Sequence, residues 1–267
     1  MCYIIVLIIA SSSDIYNIFI DLWREKIKCW KMGLCSGSSS VVYRFFFVFA
    51  DPSLSLDVVC KDDCIYCKCE ESLEPGIFLK TMMAIRFCEN EFNYDFILRT
   101  NLSSFWNFSV LSLEITSLNF DISIGTIFLQ VMDRNRLDVN PRWKDYFERI
   151  DSIYPIGFIT DDFYFLDGAG FLLSREMIRL LLLPFPIEIW MDIPDDVAIS
   201  IILFYHILIN KIGSVEIKEL LIDRKWIGFE RDSDSIVGFV RNKNVSDRGL
   251  DVLNFTLLIH HFYLMKN

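Results

Sequence analysis

The chain lacks an excess of positive charge: 26 Lys and Arg stand against 36 Asp and Glu, a net charge of −10. That excludes the basic face a nucleic-acid-binding surface needs. It leaves room for a local basic pocket around a phosphate, for which Arg241-Asn242-Lys243-Asn244 is the candidate. The chain also lacks an apolar run of the roughly 20 residues that span a bilayer. The stretch from Val197 to Ile209 is too short, and Met1 to Ala10 has no basic flank and is rich in β-branched residues. A buried parallel strand fits that start better than a secretory leader. The expectation is a cytoplasmic protein without a membrane segment, in which the sequons at Asn107, Asn244 and Asn254 carry no meaning. Glycine is sparse, with 11 residues in 267. There is no internal repeat, low-complexity tract or convincing linker, so residues 1–267 are expected to form one domain.

Eight cysteines in a chain of this length do not make a small disulfide scaffold. Cys60, Cys64, Cys67 and Cys69 invite a metal reading, but no distant second Cys or His pair completes a zinc-type spacing. In a strand, Cys67 and Cys69 share one face. Reduced thiols packing as small hydrophobes are the simpler reading.

What is present is a globular composition, 53% hydrophobic and 23% charged, in a chain long enough to bury a substantial core. After the first strand, Ser11-Ser12-Ser13-Asp14 offers a helix cap. Ile15, Ile18, Phe19, Leu22, Trp23 and Ile27 then recur at helical spacing as a core-facing stripe. A strand turning through serines into a helix opens a nucleotide-binding βα unit, with Ser11 and Ser12 beside the ligand, and equally opens any α/β domain. Val41 to Phe49 reads as a second buried strand, Cys64 to Cys69 as a short third, and Ile77 to Phe87 as a helix leading into a strand over Tyr94 to Thr100. A short helix is expected within Leu102 to Leu118, extended chain over Asp121 to Met132, and helices near Arg175 to Leu183 and Pro194 to Asn210. This alternation predicts an α/β fold, a mostly parallel sheet flanked by helices.

Three segments carry candidate chemistry. Thr100-Asn101-Leu102-Ser103-Ser104 ends a buried strand with neutral donors and acceptors suited to sugar hydroxyls or phosphate oxygens, or else is a polar strand-to-helix turn. Asp167-Gly168-Ala169-Gly170 lets backbone amides approach a ligand, or is a tight turn before a helix capped by Ser174. Asp195 and Asp196 follow Pro194 at a helix start, where the dipole favours carboxylates whether or not they do chemistry. His260 and His261 adjoin apolar residues and suit core or surface better than ligation.

Taken together, these segments resemble the GT-A glycosyltransferases. The run Gly76 to Trp106, with Lys80-Thr81, Cys88 and Tyr94 to Ser104, is similar to the β-1,3-galactosyltransferase and Fringe-like families, and more so to glycosyltransferases of large DNA viruses, where Arg-Thr-Asn-Leu-Ser-Ser is typical. The resemblance covers about residues 3 to 263 and implies a single GT-A-like, Rossmann-related domain. It implies transfer, by inverting displacement, from a nucleotide-sugar donor (UDP-linked) to a hydroxyl of a glycan or glycoprotein, in host cytoplasm or virion if the viral likeness holds.

By position, Asp196 becomes the general base, with Asp195 in reserve. Thr100, Asn101 and Ser103 line the donor site, joined by Ser11 and Ser12, and Asp167, Gly168 and Gly170 lie on the acceptor side. Arg241 and Lys243, in a flexible basic loop followed by Arg248 and Asp251, would neutralise the diphosphate. The cellular families hold a divalent metal with Asp-x-Asp; here Asn101 and Ser103 occupy those positions, and an amide with a hydroxyl is a poor ligand set for a hard cation. Either basic residues replace the metal, or Asp161, Asp162 or Asp167 supplies a carboxylate; the expectation is weak or absent metal dependence. The alternative function is a catalytically degenerate module that binds nucleotide sugars or glycans.

Overall fold

The computed structural model describes residues 1–31, 40–117, 125–129, 166, 168–185, 193–209, 215–219, 222–223, 239–241 and 247–264. The strands are β1 (Cys2–Ile9), β2 (Val41–Ala50), β3 (Val58–Lys61), β4 (Cys64–Cys67), β5 (Phe96–Asn101), β6 (Ser104–Trp106), β7 (Gly125–Leu129), β8 (Gly170–Ser174), β9 (Val215–Glu219), β10 (Ile222–Asp223) and β11 (Phe239–Arg241). The helices are α1 (Asp14–Lys31), α2 (Gly76–Glu91), α3 (Phe108–Ser117), α4 (Arg175–Leu181), α5 (Asp195–Ile209) and α6 (Arg248–Ile259), with a π-turn over His260–Leu264.

The main sheet has the order β3-β4-β2-β1-β5-β8-β7-β9. Strands β4, β2, β1 and β5 are mutually parallel, as are β7 and β9, while β3 and β8 run antiparallel to their neighbours. The expected α/β fold, a mostly parallel sheet flanked by helices, is what forms. Strand β1 shows why. Alternate side chains Ile5, Leu7 and Ile9 join one core with α2, α4 and α5, while Ile4, Val6 and Ile8 join the other with α1, α3 and α6. A strand buried on both faces must be apolar throughout.

Several expectations are corrected. On α1, Ile18 is exposed and Leu22 and Ile27 are only half-buried; the buried face is Phe19, Ile20, Trp23, Lys26 and Cys29. The pattern misleads because a lysine sits inward: the Lys26 Nζ lies 4.0 Å from the Trp23 ring centre, 4.4 Å from Phe105 and 4.2 Å from Phe108. Aromatic faces stabilise the ammonium there.

Strand β4 stops at Cys67, so Cys69 does not share its face, and β3 forms an unforeseen hairpin with it. Cys67 and Cys88 are buried and Cys60 is exposed, all as free thiols; burial pushes the Cys67 thiol up to about 12. Residues 102–103 form a turn between β5 and β6, not a strand-to-helix turn. Arg175 to Leu181 is helical as expected, capped by the Ser174 hydroxyl, which accepts from the Met177 N–H.

Among the described residues, no helix is long and apolar enough to cross a membrane. Of the extended chain expected over Asp121 to Met132, residues 125–129 are described and form β7.

Candidate functional site

From β1 the chain crosses to β2 on one side and later returns to β5 on the other. The sheet order therefore reverses between β1 and β5, where open α/β sheets leave a crevice at the carboxyl ends of their strands. The register pairs Ile9 with Asn101, so Ser11 and Ser12 follow β1 beside the end of β5. Ser11 is half-buried and Ser12 exposed. Ala10, just before them, is fixed twice: its N–H donates to the Val48 carbonyl at 2.9 Å, and its carbonyl accepts from the buried Lys80 Nζ at 2.7 Å. Lys80 also pairs with Glu71 at 2.7 Å.

The turn over Gly168 and Ala169 leads into β8, antiparallel to β5 with Thr100 opposite Gly170. The Ala169 carbonyl accepts from the Ser104 hydroxyl at 2.7 Å, the Thr100 hydroxyl at 3.2 Å and the Asn101 N–H at 3.2 Å. Thr100 is fully buried, and its hydroxyl also accepts from the Trp106 indole N–H at 2.8 Å. It holds the two turns together and does not face the crevice. Asn101 and Ser103 are half-buried at its edge.

Gly168 is the meeting point. Its N–H donates to the Asp196 Oδ2 at 2.8 Å, and its carbonyl accepts from the Asn101 amide at 2.6 Å and from the Arg99 guanidinium. A Cβ on Gly168 would lie 2.7 Å from Asp196 Oδ2, so only glycine admits the carboxylate this close. Asp196 Oδ1 also accepts from the Val197 N–H at 2.9 Å, and the Asp196 carbonyl accepts from the Ser200 hydroxyl at 2.6 Å. Ser200 in turn accepts from the Leu166 N–H at 2.9 Å, tying α5 to the chain just before the turn. Asn101, Gly168 and Asp196, distant in sequence, thus share one continuous hydrogen-bonded junction.

The two aspartates differ sharply. Asp196 is half-buried. Asp195 is buried, with its Oδ2 2.6 Å from Arg99 Nη2, and their side chains are 8% and 1% exposed. An ion pair this dry turns Asp195 inward, away from solvent. Sequence reasoning missed Arg99, whose only signal was a cation inside an otherwise apolar strand.

A divalent metal does not fit the described residues at this point. The single oxygen of the Asn101 amide accepts from Arg99 Nη1 at 2.9 Å, so it already faces a cation. Hard cations require charged or unshared oxygens. Among the described residues, no cluster of three or more His, Cys, Asp or Glu could hold an ion.

Of the remaining candidates, Arg241 lies in β11 and not in a loop: it pairs in register with Ser104, which brings the C-terminal segment beside the 102–103 turn. Arg248 and Asp251 belong to α6, where the guanidinium donates to the buried carboxylate at 2.8 Å. Asp161, Asp162, Asp167 and Lys243 lie outside the described residues. His260 and His261 are exposed.

No protein-family model matches the chain, and no curated protein sequence is similar to it. Among solved structures, it is similar to the galactosyltransferase LgtC in complex with donor and acceptor sugar analogs, with 10% identity over 96% of this chain and 95% of that one, at a TM-score of 0.48. The apo form of mouse xyloside xylosyltransferase 1 is similar at 10% identity over 90% and 97%, with a TM-score of 0.43. Likenesses this loose assign neither a family nor an activity.

Proposed function

We propose that the chain is a GT-A-like glycosyltransferase, one domain over residues 1–267, moving a sugar from a UDP-linked donor to a hydroxyl of a glycan or glycoprotein. The observation that supports it is the junction at Gly168. It sets a partly exposed carboxylate, Asp196, beside the Asn101–Ser103 turn at the sheet's switch point.

In this reading the donor lies across the ends of β1 and β5, with Ser11, Ser12, Asn101 and Ser103 offering hydrogen bonds to its ribose and phosphate oxygens. Asp196 accepts the proton of the acceptor hydroxyl while that oxygen bonds to the anomeric carbon; the carbon–oxygen bond to the diphosphate breaks, and the nucleotide diphosphate leaves with the electron pair. Arg241 and Lys243 supply positive charge to the leaving group. Gly168 lies on the acceptor side beside Asp196, whereas Gly170 is buried against Trp106 and supports the turn from behind. Asp195 is not the base here, because its charge is committed to Arg99 inside the protein.

The test is Asp196→Asn against a panel of nucleotide sugars and acceptors. Transfer should fall by about 10²-fold or more, while nucleotide binding measured by calorimetry stays within about twofold. Full turnover by the variant removes Asp196 from the mechanism. One observation favours the second reading, a binding module without catalysis: both Asp196 oxygens already accept backbone N–H bonds. Binding of a nucleotide sugar with no transfer or hydrolysis by the unaltered protein would select it.

A further inference from the structure

Arg99 is the least exposed cation near the junction, and nothing in the proposed reaction uses it. Its side chain is 1% exposed, so it touches no ligand. Its contacts, however, reach all three segments. Nη2 sits 2.6 Å from Asp195 at the start of α5, Nη1 donates to the Asn101 amide oxygen at 2.9 Å, and Nη1 also donates to the Gly168 carbonyl. The Phe171 ring lies 5.8 Å from the guanidinium carbon. Among the described residues, its Nε has no hydrogen-bond partner.

We infer that Arg99 is a positioning residue: a fixed internal cation that sets the Asp196 carboxylate against the Asn101–Ser103 turn. The inference rests on Asp196 being the base. Three contacts from one fork hold the Asn101 amide, the Gly168 carbonyl and the first turn of α5 together. Gly168 is the relay, because the carbonyl on one side of its Cα faces Arg99 and the N–H on the other side faces Asp196. A change in the Gly168 backbone dihedrals that releases the carbonyl also turns the N–H that holds the carboxylate. A guanidinium in this place gives the turn and α5 a common positive anchor without an added ion. Lysine would keep the charge opposite Asp195 but could not span all three acceptors in fixed geometry.

Arg99→Met alone leaves Asp195 as a lone buried charge and is expected to unfold readily. The informative variants are therefore Arg99→Met/Asp195→Asn, which removes both charges together, and Arg99→Lys. Two readouts are needed: exchange protection of the Gly168 amide by NMR, and steady-state transfer.

The double variant should fold cooperatively, yet lose at least about tenfold in Gly168 protection. Its kcat should fall by about 10²-fold, with KM for the donor changed by less than about threefold. Arg99→Lys should fall between the two. The inference is overturned if the folded double variant keeps wild-type Gly168 protection, or if its kcat matches that of the wild type. Absence of transfer by the wild-type protein would count against the glycosyltransferase reading instead; Gly168 protection would still decide the part played by Arg99.

Discussion

Gly168 and Gly170, two positions apart in the sequence, should respond differently to one added methyl group. At Gly168 a Cβ would meet Asp196 Oδ2 at 2.7 Å, whereas ordinary contact begins at 3.4 Å. The carboxylate or the turn must retreat by about 0.7 Å, and the N–H bond to Asp196 stretches with it. That bond joins a donor to a charged acceptor, a class worth about 1.5–3 kcal/mol. A displacement of this size at a reacting group costs about 10²-fold in rate. At Gly170 the Cβ would instead meet the Trp106 ring at 2.6 Å and the Arg99 carbonyl at 3.3 Å. That ring is 1% exposed, packs 4.4 Å from the Phe239 ring centre and is bonded to Thr100, so it cannot yield cheaply. Overpacking there costs about 1–3 kcal/mol of stability.

Gly168→Ala should therefore lose transfer activity far in excess of any loss in Tm, and Gly170→Ala should lose Tm with activity per folded molecule retained. Thermal unfolding and initial-rate transfer on the same preparations separate them. A Gly168→Ala protein with wild-type turnover would refute the placement of Asp196 against this turn.

Two further outcomes follow from charges in the fold. Because the Asn101 oxygen faces Arg99 and the described site offers no carboxylate cluster, transfer should survive excess chelator; complete loss, restored by added Mn²⁺ or Mg²⁺, would contradict this. Glu89 lies 2.6 Å from the Tyr94 hydroxyl and pairs with Arg175 and Arg179. Burial raises its pKa, but hydrogen bonds from Tyr94 and Arg179 and the charges of both arginines outweigh it, leaving the folded value below the usual 4.5. A lowered carboxyl pKa contributes stability that is complete above the unfolded value and is lost as pH falls through the folded one. Glu89→Gln should therefore flatten the fall in Tm below about pH 4.5 and matter less at pH 3 than at pH 7; an equal loss at both pH values would contradict the linkage.

How far the sequence discloses this molecule depends on the range of each interaction. Strand β1 is legible because burial on both faces demands a continuous apolar run, β2 because most of its positions are apolar, β5 because its first half is apolar, and α2 because its turn signals and apolar positions agree. Strands β3, β6 and β11 are too short to impose a period; β6 and β11 owe their pairing to each other and not to local preference. The stripe on α1 misleads because Lys26 looks like a surface residue until aromatic rings from α3 and β6 close over it. At the site, residue types at strand and helix ends pointed to Asn101, Gly168 and Asp196. They could not distinguish Asp195 from its neighbour, since both suit a helix start. That distinction belongs to Arg99, on a strand far earlier in the chain, and only the fold brings them within 2.6 Å.

The most direct measurement is a crystal structure of the protein soaked with a UDP-sugar. The diphosphate should lie across the ends of β1 and β5, within hydrogen-bond reach of Asn101 or Ser103, with the sugar's anomeric carbon on the side of Asp196. A nucleotide bound away from this crevice, with Asp196 facing no part of the sugar, would contradict it.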